Sequence, residues 1–145
     1  VMQGYLNKTE ETDKVLRNGR LHTGDLGYMD AQGYFFIVDR LKEMIIVGGY
    51  NVYPRNVEEE IYSHAAVAEC AVVGLDHLTR GQMIKAYIVL KEGKSATESE
   101  IKDFLKTRMS AYAVPHAVEF RKELPKSSIG KILKKELVAE EKAKH

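Results

Sequence analysis

From Gln82 to Leu90 the residues alternate, with Ile84, Ala86, Ile88 and Leu90 on one side, the pattern of a strand with a buried face. Ala68 to Leu75 is a continuous apolar run of strand length. Upstream, MDAQGYFFIV predicts a hairpin: Asp30 and Gly33 turn the chain, and Tyr34 to Val38 is aromatic and β-branched. Leu21 to Thr23 is strand-like until Gly24-Asp25 breaks it, and Met44 to Val47 and Ala117 to Phe120 predict short strands. Helical spacing governs other stretches. Val57, Ile61 and Ala65 fall on one face, Pro54 suits the first helical position, and Glu58, Glu59 and Glu60 favour the positive end of the helix dipole. Thr97 to Glu100 is a capping box, followed by Ile101, Phe104, Leu105 and Met109 until Pro115 stops the element. A final helix is expected from Ile132, burying Leu133 and Leu137, after a loop of small residues and lysines from Pro125 to Lys131. Residues 1–20 predict a short helix that Asn7 or Thr9 can cap and Asn18-Gly19 ends.

Asp39 to Glu43 is a charged interruption between two apolar runs, which we take as a linker and domain boundary. The expected division is 1–39, a helix plus a β-hairpin, and 40–145. The second part runs β, β, α, β, β, α, β, α, and the connection from Asp76 to Gly81 is short enough for a hairpin. The predicted fold class is therefore α+β: a small mixed or antiparallel sheet with helices on one face, preceded by the hairpin tail.

Composition narrows the function classes. The chain has 145 residues, 44% hydrophobic and 30% charged, the balance of a globular protein with room for a core. A net charge of +1 gives no electrostatic case for nucleic acid. One cysteine rules out an intrachain disulfide, and no apolar run approaches the roughly 20 residues of a membrane span. The start, VMQGYLNKTEE, lacks an export pattern and reads as the edge of a piece cut from something longer. Charge is skewed: residues 1–120 hold 14 Lys+Arg against 17 Asp+Glu, and residues 121–145 hold 8 against 4. The C-terminal segment is thus either a solvated basic helix or a positive arm over an anion.

Several residues can carry chemistry. Lys131 follows Gly130 in a loop and precedes an amphipathic helix, placing a compact cation where a backbone can approach phosphate or carboxylate oxygens. Asp25, in TGD at a strand end, can accept hydrogen bonds from vicinal hydroxyls, and the fork of Arg40 can hold phosphate oxygens. Gly48-Gly49-Tyr50-Asn51 sets two glycines beside an aromatic, a narrow passage for a thin ligand or simply a tight turn. PKSSIGKI is not a phosphate-binding loop, because Pro125 and Ile132 stand where that motif needs Gly and Ser or Thr. The five histidines show no paired metal-ligand spacing, so no metal site is expected, and Cys70 reads as an inert core residue.

Together, RLHTGDLGYMDAQGYFFIVDRLKEMIIVGGYNVYPRNVEEEI, ELPKSSIGKILKKEL and the opening GYLNKTEET resemble, in order and spacing, the C-terminal part of the adenylate-forming enzymes. IIVGGYNVYP looks most like the long-chain fatty acid–CoA ligase branch. The resemblance implies a two-step reaction: a carboxylate attacks the α-phosphate of ATP to give an acyl-adenylate and pyrophosphate, and the thiol of CoA then displaces AMP. It implies that Lys131 is the catalytic lysine of adenylation. Asp25, Arg40 and Asn51 would contact nucleotide, with Asn51 standing where some members carry arginine or glutamine. Asp39 and Lys42 would form the hinge of a mobile lid, and Gly48, Gly49 and Tyr50 would line the CoA passage. ATP or AMP and CoA are the implied cofactors, with Mg2+ arriving with ATP and not bound by this chain. The implied partners are a large N-terminal domain, of which residues 1–39 would be the tail, and a fatty acid or other carboxylic acid. A strand-mediated dimer of the fragment also stays open, as does a cytoplasmic or peripheral membrane location. Within the family, an aryl-CoA ligase, a peptide-synthetase adenylation domain or a luciferase-like enzyme are alternatives. Outside it, a stand-alone interaction module is the alternative.

Overall fold

The computed structural model describes residues 2–77 and 81–144. The chain divides into two compact units, 1–42 and 43–145.

In the first unit, α1 (Thr9–Val15) is followed by β1 (Leu16–Arg17) and β2 (Arg20–Leu21), a minimal antiparallel pair. Neither Asn7 nor Thr9 caps α1: Lys8 stands at the N-cap without a side-chain bond, and Asn7 itself takes a positive φ. Asn18-Gly19 does not end the helix either. With φ of 50° and 71° it makes the two-residue turn between β1 and β2, the Asn-Gly hairpin geometry. The strand expected over Leu21 to Thr23 is shifted back to Arg20–Leu21. The predicted hairpin forms from β3 (Asp25–Met29) and β4 (Phe35–Arg40). The Asp30 carboxylate accepts from the backbone N–H of Gln32 and Tyr34, each at 2.9 Å, and fixes the turn. Asp39 and Arg40 belong to β4 and pair with Leu26 and Asp25, so the charged stretch enters the strand instead of leaving it as a linker. Only Leu41 to Glu43 is turn.

The second unit follows the expected element order. It contains β5 (Ile45–Val47), β6 (Tyr50–Val52), α2 (Pro54–Tyr62), β7 (Val67–His77), β8 (Gly81–Leu90), α3 (Glu98–Lys106), β9 (Ala117–Phe120) and α4 (Lys134–Ala143). Strand order is β6-β5-β8-β7, with β9 beside β8; all pairs are antiparallel except β8–β9. Residues 78–80 of the β7–β8 connection lie outside the described residues. The capping box of α3 is complete: Thr97 Oγ1 accepts from Glu100 N at 3.2 Å, and the Glu100 carboxylate accepts from Thr97 N at 2.7 Å.

Helices cover both faces of this sheet, not one. Val57 and Ile61 of α2 and Ile101 and Leu105 of α3 pack on the face formed by Val72, Ile84, Ala86 and Ile88. On the other face Leu137 of α4 packs with Ala71, Val73 and Tyr87. The apolar run of β7 needs this second layer, since both its odd and even positions are buried. Ala65, expected on the apolar face of α2, lies beyond the helix end and is exposed. Leu133 takes the N-cap of α4, half-buried, and Ile132 packs on the core in its place.

On two sheet edges a glutamate side chain meets one outward backbone N–H. Glu58 accepts from Val72 N at 2.7 Å on the β7 edge, and Glu98 accepts from Val118 N at 3.2 Å on the β9 edge. No described helix is long and apolar enough to cross a membrane.

The end of α4 is tied down by Glu141, whose carboxylate lies 2.6 Å from Lys144 Nζ and 2.7 Å from Lys85 Nζ. Hydrogen bonds from Lys144 and then Lys85 pull its pKa from 4.5 down to about 2. Ionised Glu141 therefore adds stability that is present above about 4.5 and is lost as the pH falls towards about 2. In urea denaturation across that window, the Glu141→Gln chain should lose stability less steeply than the parent. Parallel acid limbs would show that the contacts do not matter.

Candidate functional site

The predicted residues gather in three places. The first is the β3–β4 hairpin. Its register sets Asp25 opposite Arg40, and Arg40 Nε lies 3.4 Å from Asp25 Oδ1. The Arg40 side chain is 60% exposed and that of Asp25 29%, so the fork keeps free donors and the carboxylate keeps free lone pairs for a polar ligand. Asp39 is buried, with its carboxylate accepting from Arg40 N at 2.6 Å, which fixes the backbone under Arg40. Lys42 is exposed in the turn at the end of this unit. A side chain at Gly27 would put its Cβ 2.5 Å from the Phe36 carbonyl oxygen, so glycine alone permits the bulge beside this pair.

The second is the tight turn between β5 and β6. Gly48 and Gly49 take φ of 55° and 88°, the left-handed region, and a Cβ at either would meet open space. These glycines are required by the backbone path, and their surface is free for a ligand to approach. Tyr50 stacks on Tyr112 with ring centroids 4.4 Å apart and an interplanar angle of 11°. Beside them a groove of about 410 Å³ is lined by Asn51, Tyr53, Asn56, Met109, Ser110 and Tyr112. Tyr112 is missed by sequence reasoning, because nothing in the spacing links residue 112 to residue 50.

The third is the loop before α4. Lys126 and Ile132 form an antiparallel bridge, Leu133 N donates to the Pro125 carbonyl at 2.8 Å, and Ser127 N donates to the Lys131 carbonyl at 2.8 Å. Gly130 takes a φ of 79°, and Lys131 N donates to Ser127 Oγ at 3.2 Å. Lys131 is thus backbone-anchored at the base of a small hairpin and exposed, and its ammonium has no ion-pair or hydrogen-bond partner among the described residues.

Three residues on, Lys134 differs. Its Nζ lies 2.8 Å from Glu58 and 3.1 Å from Glu43, and the side chain is 24% exposed. Burial disfavours its charge, but the two carboxylates outweigh burial and raise its pKa. Burial also raises that of Glu58, against the pull of Lys134. Sequence reading treats Lys134 as one of a run of lysines and finds no mark on it. The basic tail is largely neutralised: Lys134, Lys142 and Lys144 of this segment each face a carboxylate. Cys70 is buried, and burial, with Glu58 next in weight, pushes its thiol up to about 12, leaving it inert at neutral pH. Among the described residues no group of three or more His, Cys, Asp or Glu could hold a metal ion.

The three places thus present, each by itself, an exposed carboxylate–guanidinium pair, an open glycine turn and an unpaired loop lysine. Comparison with known proteins gives the chain its class. The AMP-binding enzyme C-terminal domain family matches residues 56–131, and the chain belongs to that family. It is 53% identical to a long-chain-fatty-acid–CoA ligase of Bacillus subtilis over all of this chain and 26% of that protein. Among solved structures it is similar to ATP-bound MatB from Rhodopseudomonas palustris (34% identity, TM-score 0.90, 98% of this chain and 28% of that one). It is also similar to o-succinylbenzoate CoA synthetase (MenE) of Bacillus subtilis in complex with an acyl-adenylate (37% identity, TM-score 0.87, 94% of this chain and 28% of that one). The chain spans about a quarter of the length of these relatives.

The glycine turn gives a direct test. Gly49→Ala introduces no clash, only a side chain at positive φ, so it should lower stability by about 1–2 kcal/mol in urea denaturation. An unchanged midpoint would mean that the turn relaxes to another conformation.

Proposed function

We propose that this chain is the C-terminal part of an ATP-dependent acyl-CoA synthetase converting a fatty acid, ATP and CoA to acyl-CoA, AMP and pyrophosphate. The observation that carries the reading is Lys131: an exposed, unpaired ammonium on a hydrogen-bonded loop in a domain of this family. In the first half-reaction a carboxylate oxygen of the acid bonds to the α-phosphorus of ATP and the bond to pyrophosphate breaks. Lys131 donates to the acid and the α-phosphate oxygens as charge builds between them. Asp25 accepts from the ribose hydroxyls, Arg40 donates to ribose or phosphate oxygens, and Asn51 offers its amide to the nucleotide. In the second half-reaction the CoA sulfur attacks the acyl carbon, AMP leaves, and the thiol proton is released. Gly48, Gly49 and Tyr50 line the pantetheine passage, and their open surface suits so thin a group.

Domain alternation about Asp39 and Lys42 brings the two sets of residues into use in turn. Mg2+ arrives with ATP. The partner for both steps is the chain's own large N-terminal domain, which carries the acyl pocket. Relatives named for different acids share this fold, which supports placing acid choice elsewhere. The proposed location is cytoplasmic, with peripheral contact to the membrane that supplies the acid. A stand-alone basic interaction helix is less well supported, because most of the basic charge of α4 is already paired.

In the full-length enzyme Lys131→Ala should lower ATP–pyrophosphate exchange by about 10²–10³-fold, while thioester formation from supplied acyl-adenylate persists. The isolated 145-residue chain should form no acyl-adenylate. Normal exchange in the variant, or adenylation by the fragment, would refute the assignment.

A further inference from the structure

Lys134 stands at the wrong end of its helix. A cation in the first turn of α4 opposes the positive end of the helix dipole, and this one is also three-quarters buried. Both costs are offset because Glu58 of α2 and Glu43, just ahead of β5, converge on its ammonium. The same Glu58 oxygen that lies 2.8 Å from Lys134 accepts from Val72 N of β7 at 2.7 Å. One carboxylate thus joins α2, the edge of β7 and the first turn of α4. At the other end of the Lys131 hairpin, Lys126 Nζ lies 2.5 Å from Glu69 of β7. The hairpin is tied at one end directly to β7 through Lys126 and at the other to Glu58 and Glu43 through Lys134, and the lysine between the ties is left free.

We propose that Glu58 and Lys134 are a positioning pair for Lys131: they hold the first turn of α4 so that the hairpin presents the Lys131 ammonium at a fixed place. This rests on the reading of Lys131 as the adenylation lysine. The pair touches no substrate and acts through the backbone of residues 131–134. Its effect is confined to the half-reaction that uses Lys131. A displacement of about 1 Å in a group that bridges two reactants costs up to about 10²-fold in rate.

The experiment uses the full-length enzyme with Lys134→Met, Lys134→Arg, Glu58→Gln, Lys131→Ala and the Lys131→Ala/Lys134→Met double variant. Two rates are measured for each, ATP–pyrophosphate exchange and thioester formation from supplied acyl-adenylate, together with the melting temperature. For Lys134→Met we expect exchange kcat to fall about tenfold or more, with KM for ATP and thioester formation within about twofold of the parent. Lys134→Arg should recover most of the loss, and adding Lys134→Met to Lys131→Ala should cost nothing further. Should Lys134→Met not fold, Glu58→Gln, which keeps an acceptor for Val72 N, carries the same expectation. Unchanged exchange, or both rates falling together with the melting temperature, would overturn the positioning role. An undiminished loss from Lys134→Met in the Lys131→Ala background would do the same. If Lys131→Ala alone leaves exchange intact, the catalytic reading fails first, and the proposal falls with it.

Discussion

The second unit depends on one constraint: the β7–β8 pair is buried on both faces. Ala71, Val72 and Val73 of β7 and Ala86, Tyr87 and Ile88 of β8 are each less than 5% exposed although they point alternately to opposite sides. Burial on that scale removes water from the backbone of β7, so the outward N–H of Val72 must find a partner within the protein. The Glu58 carboxylate supplies it. Burying that carboxylate in turn calls for a cation, and Lys134 meets the call from a different element. The polar contacts that locate α4 therefore follow from the apolar packing of the sheet's centre.

The other face of the unit shows the same logic with different groups. Lys85, the charged residue of β8, reaches Glu119 of β9 and Glu141 of α4, each at 2.7 Å. Arg121 reaches Glu119 and Glu140. Helix α4 is held at its start by Lys134 and near its end by Glu141. Between them only Leu137 is fully buried.

Much of this was legible in the sequence. Period-two alternation marked β8, Thr97 and Glu100 marked the start of α3, and the order of elements in the second unit came out as read. The layering did not, because Lys85 and Tyr87 make the second face of β8 look like a solvent face. Only α4, distant in sequence, shows that it is covered. The extent of β4 was missed because Asp39 is a poor strand former by type, and its burial rests on contacts that composition does not carry. For the candidate site, Asp25, Arg40 and the glycine pair were singled out from residue type and turn chemistry, and in the fold the first two face each other across a ladder. Lys131 stands out in the sequence by the glycine before it, whereas nothing in the sequence marks Lys134. In the fold, what separates them is whether a carboxylate stands opposite, and that is a property of packing between helices far apart in the chain.

The single parallel pairing in the sheet, β8 with β9, bears on how the unit is assembled. Strands β7 and β8 are hairpin neighbours and can pair locally, whereas β9 can reach β8 only after residues 91–116 have crossed over, at a larger loop-closure cost. Helix α4 comes later still, and the face it covers exists only once the hairpin has presented Tyr87, Ala71 and Val73. The contacts that seat the loop carrying Lys131 thus span a larger separation in sequence than the β7–β8 hairpin, at a larger loop-closure cost. A partial opening that releases these contacts can leave the β7–β8 pairing intact.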